Sequence, residues 1–211
     1  MQLYGSFLSP YTRRVYIALK HYGIDFTFHP KMALPDEAEI RRNNPLGRLP
    51  YLVKDDGSTL IDSVAILDML EEQVSEEVAM LPKRGAARQL VLQVTSLGLG
   101  VCDKALTRFY EQDRRPEAYR WEGARTRAAW QIRDGLMAIA AHYDAGQPWL
   151  GGDRLSLADV MSLVALNFVQ ARNADLFESE AFPDGVPAAL QALDAKLSQL
   201  PYVAESDPRR G

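Results

Sequence analysis

Cysteine is almost absent from this chain of 211 residues, which holds a single one, Cys102. A lone cysteine excludes an intrachain disulfide framework and favours a reducing compartment. The three histidines, His21, His29 and His142, are scattered, so no zinc spacing is recognisable and no metal is expected. There is no run of eighteen apolar residues, which predicts that nothing spans a membrane. The opening MQLYGSF lacks a basic segment followed by an apolar signal core, so a cytoplasmic location is expected. A strong excess of one charge is also missing. The net charge of −4 gives no basic footprint and suggests no nucleic-acid partner. Repeats and low-complexity segments are absent, and Gly98-Leu99-Gly100 follows no strand, so it is not a nucleotide fingerprint.

What is present is the composition of an ordinary soluble globular protein, 47% hydrophobic and 25% charged. The length suits two small domains or one large one and buries a core without staples. The first eighty residues alternate between two periods. Gln2–Gly5 reads as a strand. Pro10–Tyr22 has Val15, Ile17, Ala18, Leu19 and Tyr22 at helical spacing, with Gly23 as a stop. Asp25–His29 reads as a second strand and Pro35–Asn43 as a weak helix. Pro50–Lys54 and Thr59–Ile61 flank Asp55-Asp56-Gly57-Ser58, a hairpin signal. Ser63–Val74 is helical again. The order β-α-β-α-β-β-α, with a parallel first pair and an antiparallel edge hairpin, is a thioredoxin-like layout.

Beyond Leu81-Pro82-Lys83-Arg84-Gly85 the strand signals stop. Ala86–Asp113 and Glu117–Tyr143 read as long helices. Ser156 and Asp159 stand as N-cap and capping-box partner, with Leu155 and Val160 placed as a hydrophobic staple. The helix they start is apolar almost all round and is expected in the middle of a bundle. Pro187–Leu200 makes a last helix, and the tail after Tyr202 is expected to be loose. The predicted fold is α/β plus all-α: a thioredoxin-like domain over residues 1–79, a linker at 80–85 and an all-helical bundle over 86–211.

Four stretches, "SPYTRRVYIAL", "NPLGRLPYLV", "LIDSVAIL" and "LSLADV", occur in that order in this architecture. Together they resemble the cytosolic glutathione transferases of the bacterial serine type, over nearly the whole chain. The resemblance implies glutathione as co-substrate, a small, apolar electrophile as the second substrate, and a homodimer.

The motifs also have readings of their own. Pro50 opens a strand, where its missing N–H costs no ladder bond, and only ~5–6% of X–Pro bonds are cis. The resemblance implies a cis bond here, turning the Leu49 backbone outward to pair with the cysteinyl part of glutathione. Asp62-Ser63 precede a helix whose free first-turn amides attract a carboxylate, although simple capping by Ser63 accounts for the same residues. The resemblance implies that Ser63 takes the γ-glutamyl carboxylate and Asp62 the ammonium. Arg48 is either a solvated cation or a partner for the glycyl carboxylate.

Ser9 before Pro10 is a favoured helix start, but its capping-box partner is missing because Thr12 stands three residues on. The resemblance implies that its hydroxyl donates to the glutathione sulfur. A thiol of pKa about 8.5 is only a few per cent thiolate at pH 7. Lowering it by about 2 units needs about 2.7 kcal/mol. One hydrogen bond to a charged acceptor supplies ~1.5–3 kcal/mol, and a helix N-terminus adds roughly 0.3–1. Tyr4, a rival donor, is expected to pack in the core. Phe7, Leu8 and Tyr11 near the loop, and Val101, Ala105, Arg108 and Phe109 on the long helix, are expected to line an electrophile pocket between the domains. The disulfide chemistry of thiol-based relatives is not expected, since no cysteine stands near Ser9. A glutathione-dependent isomerase and a non-catalytic glutathione-binding protein are the alternative readings; the first lacks its serine- and cysteine-rich site here.

Overall fold

The computed structural model describes residues 1–143 and 148–210. The chain forms two compact units: Met1–Ala79 with Pro201–Asp207, and Met80–Leu200 with the end of the chain. The first unit runs β1 (Gln2–Gly5), α1 (Pro10–His21), β2 (Thr27–Pro30), α2 (Glu37–Asn43), β3 (Tyr51–Val53), β4 (Thr59–Leu60) and α3 (Ser63–Gln73). The sheet order is β2-β1-β3-β4, with β1 parallel to β2 and antiparallel to β3, and β4 antiparallel to β3. This is a thioredoxin-like unit with a small mixed sheet.

Alternation along the strands divides the sheet into two faces. Leu3, Phe28 and Leu52 share one face by register. Phe28 meets Tyr16 of α1 there, ring centroids 5.5 Å apart. On the other face Tyr4 is stacked between His29 at 4.5 Å and Tyr51 at 4.6 Å. The Tyr4 hydroxyl donates to the Gln2 side chain at 2.9 Å. Burial beneath α2, with Glu39 nearby, pushes the Tyr51 phenol up to about 12.

Gly5 ends β1 where α1 passes closest. A Cβ added there would overlap the Thr12 side chain, and Thr12 is fully buried. Gly5→Ala is therefore expected to destabilise the first unit by about 1–3 kcal/mol through overpacking. A chemical-denaturation midpoint followed by tyrosine fluorescence checks this; an unchanged midpoint would mean that α1 shifts without penalty.

The second unit holds α4 (Gly85–Asp113), α5 (Glu122–Tyr143), α6 (Leu157–Arg172) and α7 (Ala188–Leu197). By length and composition α4 would be apolar enough to cross a membrane, yet its Val91, Val94, Gly98, Val101, Cys102 and Ala105 are buried, and it packs along α5 and α6. Every residue of α6 from Leu157 to Val169 is buried, as its all-round apolar sequence predicts. The capping box is present. Asp159 Oδ2 accepts from the Ser156 N–H at 2.8 Å and hydroxyl at 2.6 Å. Its Oδ1 accepts from the Tyr143 hydroxyl at 3.0 Å and the Leu150 N–H at 3.1 Å. The three tryptophans all belong to this unit. Trp121 lies over Gly123, Trp130 is stacked by Arg133, and Trp149 lies beneath the Lys196 ammonium at 3.3 Å.

Two expectations are corrected. The helix expected over Glu117–Tyr143 begins at Glu122, after a 3-10 turn at Glu117–Tyr119. Here the buried Glu111 carboxylate takes the Trp121 N–H at 2.7 Å. Through Arg210 the tail is ordered, with α8 at Pro201–Ala204 and a 3-10 turn at Pro208–Arg210.

Ion pairs in the second unit set an acid limit. The Arg108 guanidinium holds the Asp175 carboxyl below its ordinary value. Burial pushes Asp194 up, but Arg209 at 2.6 Å outweighs it and leaves that carboxyl low as well. A depressed carboxyl stabilises the fold above its unfolded pKa, and that stability is lost as pH falls through the folded value. The urea midpoint is thus expected to hold down to about pH 4 and to fall below it. Asp194→Asn should flatten that limb, and an equally steep fall in the variant would contradict the assignment.

Candidate functional site

The register brings three loops to one end of the sheet. Tyr4 faces Tyr51 across an antiparallel pair, so the end of β1 lies beside the start of β3. Leu52 faces Leu60, so the end of β4 lies there too. Ser6–Ser9, Gly47–Pro50 and Ile61–Ser63 therefore emerge together. Ser9, Arg48, Leu49, Pro50, Asp62 and Ser63, from three separate stretches of the sequence, share this edge. Two helices, α1 and α3, start from it and pack side by side.

Ser9 is the N-cap of α1, with extended backbone and Pro10 in the first turn. Its loop is a tight turn. The Ser9 N–H donates to the Ser6 carbonyl at 2.9 Å, and the Ser6 hydroxyl oxygen accepts the Leu8 N–H at 3.2 Å. The Ser9 oxygen accepts the Thr12 N–H at 3.3 Å, a long bond. In that cap the hydroxyl is an acceptor only. A hydroxyl has one proton and two lone pairs, so capping leaves the proton for another acceptor. Ser9 is half-buried, at the rim of the unit.

The Leu49–Pro50 peptide is cis. Leu49 is half-buried and Pro50 buried, whereas Arg48 is exposed. The loop before them is held by Asn44, which is 1% exposed and went unmarked in the sequence reading. Its side-chain N–H donates to the Arg48 carbonyl at 2.8 Å and its Oδ1 accepts the Leu46 N–H at 3.1 Å. Gly47 closes the turn at φ +63, where a side chain would be strained. The string Asn-Pro-Leu-Gly was a readable signal for the turn itself.

At α3 the cap is Asp62, not Ser63. Asp62 Oδ1 accepts the Val64 N–H at 2.8 Å, and Ser63 is the first helical residue, 2% exposed. The Asp62 carboxylate is exposed. The Ile61–Asp62 peptide is also cis.

The residues expected to meet an electrophile are placed differently from one another. Phe7 is stacked on Phe28 at 4.7 Å and edge-on to Tyr16 at 4.7 Å, so it closes an aromatic cluster. Leu8 and Tyr11 are half-buried near Ser9. Val101 and Ala105 are buried within the helical unit, Val101 against Gly135. Arg108 is buried, with its guanidinium on Asn173 at 3.0 Å and Asp175 at 2.9 Å. In turn the Asn173 side chain donates to the Ala105 carbonyl at 3.2 Å. This is a brace between α4 and the segment after α6.

Residues 3–78 match the family description "Glutathione S-transferase, N-terminal domain", and residues 102–185 match "Glutathione S-transferase, C-terminal domain". A maleylacetoacetate isomerase of Pseudomonas aeruginosa is 32% identical over 171 residues, covering 76% of this chain and 77% of that protein. Among solved structures, a glutathione S-transferase of Methylobacterium radiotolerans, in complex with glutathione sulfonate, superimposes with a TM-score of 0.87. It is 28% identical and covers 98% of this chain and 94% of its own. A glutathione transferase family member of Pseudomonas fluorescens, with bound glutathione, gives 0.86 at 28% identity and covers 98% of each chain.

Proposed function

The chain belongs to the glutathione S-transferase family, and from that premise we propose that it is a glutathione transferase of the bacterial serine type, with Ser9 as donor to the glutathione thiolate. The observation that carries this reading is the cap of α1, which uses the Ser9 oxygen as acceptor and leaves its proton for a sulfur anion. Relatives of similar fold crystallised with glutathione and glutathione sulfonate support it.

In this reading the Leu49 backbone pairs with the cysteinyl residue. Ser63 and the first-turn amides of α3 take the γ-glutamyl carboxylate. Asp62 uses one oxygen as cap and has the other for the ammonium. Arg48 pairs with the glycyl carboxylate, on a loop fixed by Asn44. The thiol releases its proton to solvent. The thiolate, held by the Ser9 hydroxyl, then attacks an electrophilic carbon, forming a carbon–sulfur bond as the leaving group departs with its electron pair. The family likeness supports a homodimer, and the sequence composition a cytoplasmic setting.

The isomerase relative favours a second reading, in which the same thiolate adds to the substrate and is expelled again. The distinguishing quantity is glutathione itself, consumed one for one in conjugation and regenerated in isomerisation. The decisive experiment is calorimetric titration with glutathione, with the bound thiol followed by ultraviolet thiolate absorbance against pH. A bound thiol pKa about 2 units below the free value is expected. Binding with an unshifted thiol would defeat both catalytic readings and leave a glutathione-binding protein.

A further inference from the structure

We propose that Arg13 is a positioning residue for Ser9, anchored by the C-terminal segment Pro201–Asp207. The proposal rests on the reading of Ser9 as thiol donor. Arg13 stands one turn into α1 and is 1% exposed. A guanidinium buried that deeply sits only where its partners are, so those partners fix the helix that carries it.

Two of its partners come from the far end of the chain. Arg13 Nε donates to the Ser206 hydroxyl oxygen and Nη2 to the Val203 carbonyl, both at 3.3 Å. The Ser206 hydroxyl lies 2.9 Å from the Tyr202 carbonyl and 3.1 Å from that of Val203, so its proton is spent locally and its oxygen is turned to accept from Arg13. Two more contacts tie the same segment to α1. The Tyr16 hydroxyl donates to Glu205 at 2.6 Å, and His21 Nδ1 lies 3.2 Å from the Tyr202 hydroxyl.

The link to the site is the backbone. The Arg13 N–H donates to the Ser9 carbonyl at 3.0 Å, and the Thr12 N–H beside it holds the Ser9 oxygen. The cap itself grips weakly, at 3.3 Å and without a capping-box partner. A first turn tied so lightly would let the Ser9 hydroxyl swing, and hydrogen bonds weaken steeply with angle. The anchored Arg13 supplies the fixed point that the cap lacks.

The test is made on the full chain with Ser206→Ala, and with Ser206→Thr to restore the hydroxyl. Three quantities are compared: amide hydrogen exchange at Thr12 and Arg13, the pKa of the bound glutathione thiol, and the urea midpoint. Ser206→Ala is expected to speed exchange at both amides about fivefold or more, the size of one lost hydrogen bond. It should also move the thiol pKa toward its free value and lower kcat more than it raises KM, and Ser206→Thr should reverse these changes. A lower midpoint with exchange and thiol pKa unchanged would show a purely structural segment and overturn the proposal. So would faster exchange without a change in thiol pKa. Failure of the underlying reading is visible separately, because the thiol would then be unshifted in the unmodified protein. If Ser206→Ala does not fold, Tyr16→Phe, which removes only the Glu205 bond, carries the same comparison.

Discussion

Ser9→Ala is expected to lower the rate of glutathione conjugation at neutral pH by about ten- to a hundredfold while the protein stays folded. The magnitude follows from a single hydrogen bond to a charged sulfur, ~1.5–3 kcal/mol, at 1.36 kcal/mol per tenfold. The pH profile carries the sign. In the unmodified protein the bound thiol is expected to be ionised above about pH 6.5, so that the rate levels off. In the variant ionisation is delayed toward the free value near 8.5, so the rate keeps rising and the two profiles converge in alkali. Stability should fall little. Loss of an N-cap costs about 0.5–2 kcal/mol, and this cap bond is long at 3.3 Å, which argues for the lower end. Ser9→Gly sharpens the comparison, since glycine at a cap costs only a few tenths of a kcal/mol. Initial rates with a chloronitroaromatic electrophile, taken from pH 5.5 to 9, check the prediction. A loss of about 1 kcal/mol in stability with an unchanged profile would reduce Ser9 to a cap.

The largest effect on stability is expected in the second unit, from Asp159→Asn. The side chain is fully buried, and both of its oxygens are committed, each to two donors. Burial pushes the Asp159 carboxyl above its ordinary value, and the Ser156, Leu150 and Tyr143 donors pull it back. Asparagine has nearly the same shape but one acceptor oxygen, and its NH2 would face two donors. Leaving a buried donor unsatisfied costs ~1–3 kcal/mol, so a loss of about 3–5 kcal/mol is expected. The urea midpoint of the helical unit is the measurement. A loss under about 1 kcal/mol would mean that the α5–α6 connection relaxes to find other partners.

Local chemistry explains what could be read in advance. The β-α-β-α-β-β-α order is written in apolar periodicity and in the turn residues between the elements. The Ser156–Asp159 box was legible because both members lie on one turn. What escaped depends on distant or one-sided contacts. The second strand was expected at Asp25–His29 and pairs at Thr27–Pro30. As an edge strand it has a partner on one side only, and its Phe26 packs against Tyr16 instead. Arg13 and Arg14 look like solvent-facing residues of an amphipathic helix, yet both are buried. Arg13 is satisfied by residues some 190 positions away, which no window along the chain contains. The ordered tail was missed for the same reason. Of the site, Ser9, Pro50 and Ser63 stood out through their sequence setting. Asn44 did not, because its work is to bond the backbone of Leu46 and Arg48, and that is visible only once the turn is folded.

Trp121, Trp130 and Trp149 all belong to the helical unit, whereas six of the nine tyrosines, Tyr4, Tyr11, Tyr16, Tyr22, Tyr51 and Tyr202, lie in the other. The chain thus carries its own pair of optical reporters. Indole emission follows the melting of the helical unit, and phenol emission follows mainly the unit with Ser9, with a smaller share from Tyr110, Tyr119 and Tyr143 of the helical unit. Loss of the Asp159 cap should move the indole transition. Crowding at Gly5 or loss of the Ser9 cap should move the phenol transition instead. A coincident shift of both signals would reveal that the two units melt as one, without any label being added.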